Sequence, residues 1–147
     1  MNKVEVTICI DTSPERIIQA FTDNSMLHEW WDVERALIEK CIGGVYTLAW
    51  NITDKGFGYI STGIIKDYEP GSIIEIGHLV YLNPNRSLLG PMTLTIKATV
   101  KDGRTELYLR QDGYQNGADW DWYYQAVTHA WPVVVKKLKD YLEEKNK

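Results

Sequence analysis

The longest regular pattern of apolar positions lies near the end of the chain, between Ala118 and Lys145. Trp120, Tyr123, Tyr124, Val127, Trp131, Val134, Val135, Leu138, Tyr141 and Leu142 fall at helical intervals, while Asp121, Gln125, Lys136, Lys139, Asp140 and Glu143 fall between them. One apolar stripe with a charged opposite face is the signature of a helix packed on a core. At 1.5 Å per residue it would span roughly 40 Å. The stripe is aromatic in its first half and aliphatic in its second. Aliphatic side chains interlock, whereas Trp and Tyr carry polar tips that need partners when buried. The gradient predicts a helix with one end sealing a core and the other lining a pocket. Pro132 lacks the N–H that would bond back to Thr128. Because the apolar phase continues across it, a kinked but nearly continuous helix is expected.

Upstream, the pattern alternates with period two. Lys3 to Ile10 places Val4, Val6, Ile8 and Ile10 on one face, as a half-buried strand does. Ser13 then offers a helix cap, with Pro14 in the first turn and Glu15 suited to the dipole. Ile17, Ile18 and Phe21 form a short buried face. After Asp23-Asn24-Ser25 a second short helix carries Met26, Leu27, Trp30 and Trp31. The two adjacent tryptophans cannot both point inward, so one anchors in the core and the other stands near an opening.

Strands follow in succession: a weak one over 34–42, then 45–52, 57–68, 72–82, 92–100 and 105–112. Gly43-Gly44, Asp54-Lys55-Gly56, Glu69-Pro70-Gly71 and Lys101-Asp102-Gly103-Arg104 supply the turns, and 83–91 a longer loop. Gly58 and Gly63 inside a strand mark bulges or bends. Consecutive strands with short turns and segregated helices mean an α+β fold. A curved antiparallel sheet of six to seven strands, with two short helices after the first, wraps the C-terminal helix. Val4, Ile8, Leu48, Leu94, Ile96, Leu107, Val134 and Leu138 are expected in one core.

Length and charge narrow the function. With 147 residues, one domain spanning 1–147 is expected, burying roughly 70% of its unfolded surface. A net charge of -4, with no basic cluster beyond the lysines of the last helix, argues against nucleic acid. Cys9 and Cys41 make no disulfide scaffold, and no spacing reads as a metal site. The start is not that of a signal peptide and no stretch could span a membrane, so a cytoplasmic protein with reduced thiols is expected. Nine Tyr and six Trp against two Phe is the unusual figure, because pocket walls and partner surfaces use Tyr and Trp where a plain core uses Phe.

No catalytic set stands out. Ser/His/Asp combinations lack a nucleophile-elbow context, and His28, His78 and His129 share no metal spacing. No cofactor is expected. His78 is in phase with Ile74, Ile76 and Val80, and Gln111 with Leu107 and Leu109. Each is either a hydrogen-bonded structural residue or a polar fixture that orients a ligand. From phase, the pocket lies between the sheet and the aromatic half of the helix. Its expected walls are Trp30 or Trp31, Tyr46, Trp50, Trp120, Tyr123, Tyr124 and Val127, with His78 and Gln111 as polar groups. On that view Gln111→Leu would alter ligand choice and leave stability nearly unchanged.

Several motifs in order carry a family resemblance. They are Ser13-Pro14-Glu15-Arg16, Phe21-Thr22-Asp23, Leu27 before Trp30-Trp31, and Gly43-Gly44-Val45-Tyr46. Further on come Gly63-Ile64-Ile65-Lys66-Asp67-Tyr68-Glu69-Pro70, Thr105-Glu106-Leu107, and Ala130-Trp131-Pro132 with Leu138 and Leu142. Together they resemble the helix-grip proteins of the START-like, or birch-pollen-allergen-like (SRPBCC), superfamily. The nearest branch is the one named for the C-terminal domain of the activator of the heat-shock protein 90 ATPase. The family often has Gly where Ala130 stands and a basic residue near Glu5. The resemblance implies a container between sheet and helix, with a small hydrophobic molecule (lipid, polyketide or sterol-like) as its partner. The alternative it implies is an interaction module acting on the chaperone. That role normally uses an additional N-terminal domain, so weak stimulation by this chain alone is expected. Enzyme activity inside the cavity and a homodimer stay open.

Overall fold

The computed structural model describes residues 2–145. Strand β1 (Lys3–Ile10) leads into helices α1 (Pro14–Ala20) and α2 (Asn24–Trp31). Strands β2 (Arg35–Ile38), β3 (Val45–Trp50), β4 (Tyr59–Glu69), β5 (Ile73–Leu82), β6 (Leu89–Lys101) and β7 (Arg104–Asp112) follow, and helix α3 (Ala118–Lys145) ends the chain. The seven strands form one antiparallel sheet in the order β1-β7-β6-β5-β4-β3-β2. The first strand closes against the last, and α3 lies on the inner face. This is the expected α+β helix-grip arrangement.

Local chemistry explains the element ends. Ser13 Oγ accepts from the Arg16 amide to start α1, and Asp23 Oδ1 accepts from the Met26 amide to start α2. Asp32, at φ 57°, ends α2 in the left-handed region. The strand expected over 34–42 shortens to Arg35–Ile38. Strand β6 begins at Leu89, earlier than the loop residues had implied, and passes through Pro91 where the register with β5 is irregular.

The sheet bends at a bulge that alternation could not reveal. Pairing of β4 with β5 shifts between Thr62 and Ile64, opposite Gly77-His78, and His78 takes φ 48°. Gly63 faces this bulge, and a Cβ there would lie 2.6 Å from Ile76 Cγ2 and 2.8 Å from the Gly77 carbonyl. The extra residue inverts the phase of β5. Ile74, Ile76 and Leu79 are buried, while His78 is exposed. The expected inward face through His78 and Val80 is therefore corrected to Leu79 and Tyr81.

Most of the expected core assembles: Val4, Leu48, Leu94, Ile96, Leu107 and Leu138 are buried in one cluster. Ile8 and Val134 are only half-buried. Val100, in phase with the inward side of β6, is exposed next to the β6–β7 turn, where the core ends.

Helix α3 continues through Pro132 as one element. The Thr128 hydroxyl donates 2.7 Å to the Tyr124 carbonyl one turn back. The second half of α3 is fastened to the other end of the fold by polar links. Lys139 Nζ donates to the Cys9 carbonyl at 2.7 Å, and the Asp11 amide donates to Glu143 Oε2 at 3.0 Å. No helix among the described residues is long and apolar enough to cross a membrane.

Candidate ligand-binding site

Between the first half of α3 and the sheet lies a cavity of about 360 Å³. Helix α3 contributes Trp122, Tyr123, Ala126, Val127, Ala130, Trp131 and Val134. The sheet contributes Tyr46, Leu48 and Trp50 from β3, Tyr59 and Ser61 from β4, and Leu79 and Tyr81 from β5, with Leu94 and Gln111 at the floor. Trp31, at the end of α2, and Asn83, after β5, complete the wall. Ala126, Ala130 and Tyr59 also face solvent, so the opening lies along this flank of α3. Small residues at 126 and 130 leave that space unfilled, one turn apart on the helix.

The tryptophans divide the labour that their adjacency predicts. Trp30 is buried, and its Nε1–H donates 2.8 Å to the Ala20 carbonyl. Trp31 stacks on it, ring centroids 5.1 Å apart, and reaches the cavity, where it also packs on Trp50 (5.2 Å) and Trp131 (5.7 Å). Trp50 Nε1–H donates 3.0 Å to the Trp31 carbonyl. Tyr46 donates 2.6 Å to the Phe21 carbonyl, and burial holds its hydroxyl far above the ordinary tyrosine range. These bonds tie α2 and the α1–α2 junction to the sheet and fix one end of the cavity.

The other end is set by Gln111, only 1% exposed. Trp131 Nε1–H donates 2.7 Å to Gln111 Oε1, and Gln111 Nε2 donates 3.0 Å to the Tyr123 hydroxyl. Indole nitrogen is a donor only, so this contact determines which end of the amide faces which partner. The second Nε2 hydrogen faces Met92 Sδ at 3.4 Å. Gln111 is thus a buried cross-link between β7 and α3. The expectation that Gln111→Leu leaves stability unchanged is corrected, because leucine would strand the Trp131 indole. Burial pushes the Tyr123 hydroxyl up to about 12, against a smaller lowering by Gln111. Burial also raises Tyr81, against a smaller lowering by the Asn83 side chain, and its ring lies 4.9 Å from that of Tyr123.

Of the residues expected in the pocket, Trp31, Tyr46, Trp50, Gln111, Tyr123 and Val127 come together around the cavity. Four lie elsewhere. Trp30 stands behind Trp31. His78 is carried to the outer surface by the β5 bulge. Trp120 and Tyr124 pack instead around Tyr114, at 6.4 and 5.0 Å, because the 113–117 loop covers that side of the stripe. Missed were Trp122, Ala126 and Ala130, a second helical row at intervals of four beside the main stripe. The regular spacing of all three and the small size of Ala126 and Ala130 were the available signal. Tyr81 and Leu79 were hidden by the bulge.

A polar latch closes over the helix start beside the opening. Asp119 accepts from the Ser87 amide (3.0 Å), the Ser87 hydroxyl (2.6 Å) and Arg86 Nη1 (3.3 Å). The bonds from Ser87, aided by Arg86, hold the Asp119 carboxyl below its usual range. The Arg86 guanidinium lies 4.0 Å over the Trp122 ring. Among the described residues no group of three or more His, Cys, Asp or Glu is arranged to hold a metal.

Comparison with known proteins places this architecture. No curated protein sequence matches. Solved structures share the fold at low identity. The Aha1 dimer of Colwellia psychrerythraea is 18% identical, with a TM-score of 0.72 and 97% of each chain covered. A protein of Mesorhizobium loti is 19% identical, with a TM-score of 0.76, covering 97% of this chain and 98% of the other. DynU16, of the dynemicin biosynthetic locus, is 16% identical with a TM-score of 0.71, and its match covers 97% of this chain but 48% of that one. These likenesses carry the fold alone. The model of the family described as Activator of Hsp90 ATPase homolog 1-like protein matches residues 11–143, nearly the whole chain. This protein belongs to that family.

Proposed function

We propose that the chain, acting as a single helix-grip domain in the cytoplasm, binds a small hydrophobic or aromatic molecule in the cavity under the first half of α3. The observation that supports this most is the cavity itself: about 360 Å³, walled by tryptophan and tyrosine with few polar groups. Pockets of this size and lining are what small-molecule sites use. Trp31, Tyr46, Trp50, Gln111, Tyr123 and Val127 form its proposed wall, joined by Trp122, Tyr81 and Trp131. At 16% identity, DynU16 supports the fold and says nothing of this chain's ligand.

The test is fluorescence titration with N-phenyl-1-naphthylamine, a neutral apolar dye. Saturable binding to the folded protein, with tryptophan emission quenched in parallel, is expected. Native mass spectrometry of protein from its own host would identify a retained molecule. Absence of saturable binding would overturn the reading. A role at a chaperone ATPase comes to this chain only through the family's description. A steady-state ATPase assay with the purified chain tests it separately. The Colwellia relative is described as a dimer, and a homodimer of this chain is open to sedimentation analysis.

A further inference from the structure

The polar groups around the cavity are not equivalent, and the direction of one hydroxyl among them is set by its partners. Trp131 can only donate, so Gln111 Oε1 faces it and Gln111 Nε2 faces Tyr123. The amide therefore donates to the Tyr123 oxygen. A hydroxyl that accepts in this way keeps its own hydrogen to give. Among the described residues, no hydrogen bond takes that hydrogen. Tyr123 lines the cavity, and its hydroxyl is the last member of a one-way chain from Trp131 through Gln111. Like any tyrosine it is protonated at neutral pH, and burial raises its pKa further.

Of the remaining polar lining, the Trp31 and Trp122 indoles can only donate, and the Tyr59 and Tyr81 hydroxyls can donate or accept. Ser61 and Asn83 each carry groups able to donate and to accept. Among the described residues, the lining holds no Asp, Glu, Lys, Arg or His. The cation near the opening, Arg86, lies over Trp122 and is paired with Asp119. A buried anion would meet no opposite charge, and an unpaired charge is costly to bury. Aromatic rings on the walls, Trp31 and Trp50 at one end and Tyr81 and Tyr123 at the other, favour flat ring systems.

We propose that the cavity selects a neutral, planar ligand carrying a hydrogen-bond acceptor such as a ketone oxygen, which takes the Tyr123 hydroxyl proton in a hydrogen bond. This rests on the ligand-binding reading above. Tyr123 is the specificity-determining residue, and Gln111 and Trp131 are positioning residues that aim it. Carboxylate and phosphate ligands are disfavoured.

Three probes of one ring system test it: 2-acetylnaphthalene, 2-ethylnaphthalene and 2-naphthoate, each displacing N-phenyl-1-naphthylamine. On the native protein the naphthoate should bind at least about tenfold more weakly than the ketone. In Tyr123→Phe the ketone should lose about threefold to tenfold in affinity, the size of one neutral hydrogen bond, while the hydrocarbon is unchanged. The carbonyl stretch of the ketone bound to native protein should lie at lower frequency than in hexane, a readout that does not depend on the variant folding. An unshifted stretch, an equal loss for ketone and hydrocarbon, or naphthoate binding as tightly as the ketone would each overturn the proposal while leaving the cavity a ligand site. Failure of the dye itself to bind would overturn both.

Discussion

The two halves of α3 face the same sheet and do different things with it. From Val135 onward the buried positions are aliphatic: Val135, Leu138 and Leu142 are almost fully buried and none lines the cavity. From Trp122 to Val134 the inward positions are large aromatics alternating with small residues, and they surround about 360 Å³ of space. Branched aliphatic side chains interdigitate to crystal-like density. Flat rings tethered by their polar tips, as Trp131 and Tyr123 are by Gln111, cannot slide together to close a gap. Rigidity from hydrogen bonds keeps the first half open, and close packing keeps the second half shut.

That contrast can be broken most forcefully in the closed half. Leu138→Ala should lower unfolding free energy by about 2–5 kcal/mol, read by denaturant melts, because a fully buried leucine leaves a cavity. A change under about 0.5 kcal/mol would mean that this half is not the sealed one. Gln111→Leu comes next, at about 1–3 kcal/mol, since it strands a buried indole donor and releases Tyr123. Stability equal to wild type would show that the cross-link does not hold the open half in shape.

Ala130→Leu sharpens the comparison from the other side. Added bulk at this exposed cavity-lining site should change stability by less than about 0.5 kcal/mol. It should weaken N-phenyl-1-naphthylamine on the order of tenfold or more, about 1.4 kcal/mol of binding. The same dye affinity in Ala130→Leu would place the opening elsewhere. Smallest is the latch at Asp119. Its carboxyl pKa is depressed in the fold, so the contribution of the latch is present above the ordinary carboxylate range and lost as pH falls through the folded value. Asp119→Asn should speed dye dissociation in stopped-flow measurements with little effect on melting. A carboxyl titrating in the ordinary range by NMR would contradict the latch.

Much of this contrast was legible in the chain. Helical intervals from Trp120 to Leu142 and the change from aromatic to aliphatic along them carry the two-part helix, and Ser13-Pro14 carries the start of α1. What period-two reading could not carry is the β5 bulge. One extra residue at Gly77-His78 moves His78 outward and Tyr81 inward, and it depends on Gly63 on the neighbouring strand. Trp120 and Tyr124 share the stripe with Tyr123, yet Tyr114 from a loop takes them. Loop packing has no periodicity to read. The two bonds that fix Gln111 join residues distant in the chain, and neither partner's spacing announces them.

The most direct test of an open and a closed half is the amide and indole spectrum of the labelled protein, titrated with N-phenyl-1-naphthylamine. Indole signals of Trp31 and Trp131 and amides across 122–134 should shift on binding, while those across 135–142 and the Trp30 indole stay in place. Shifts spread evenly along α3, or concentrated beyond Val135, would contradict the division of the helix into a ligand wall and a packed core.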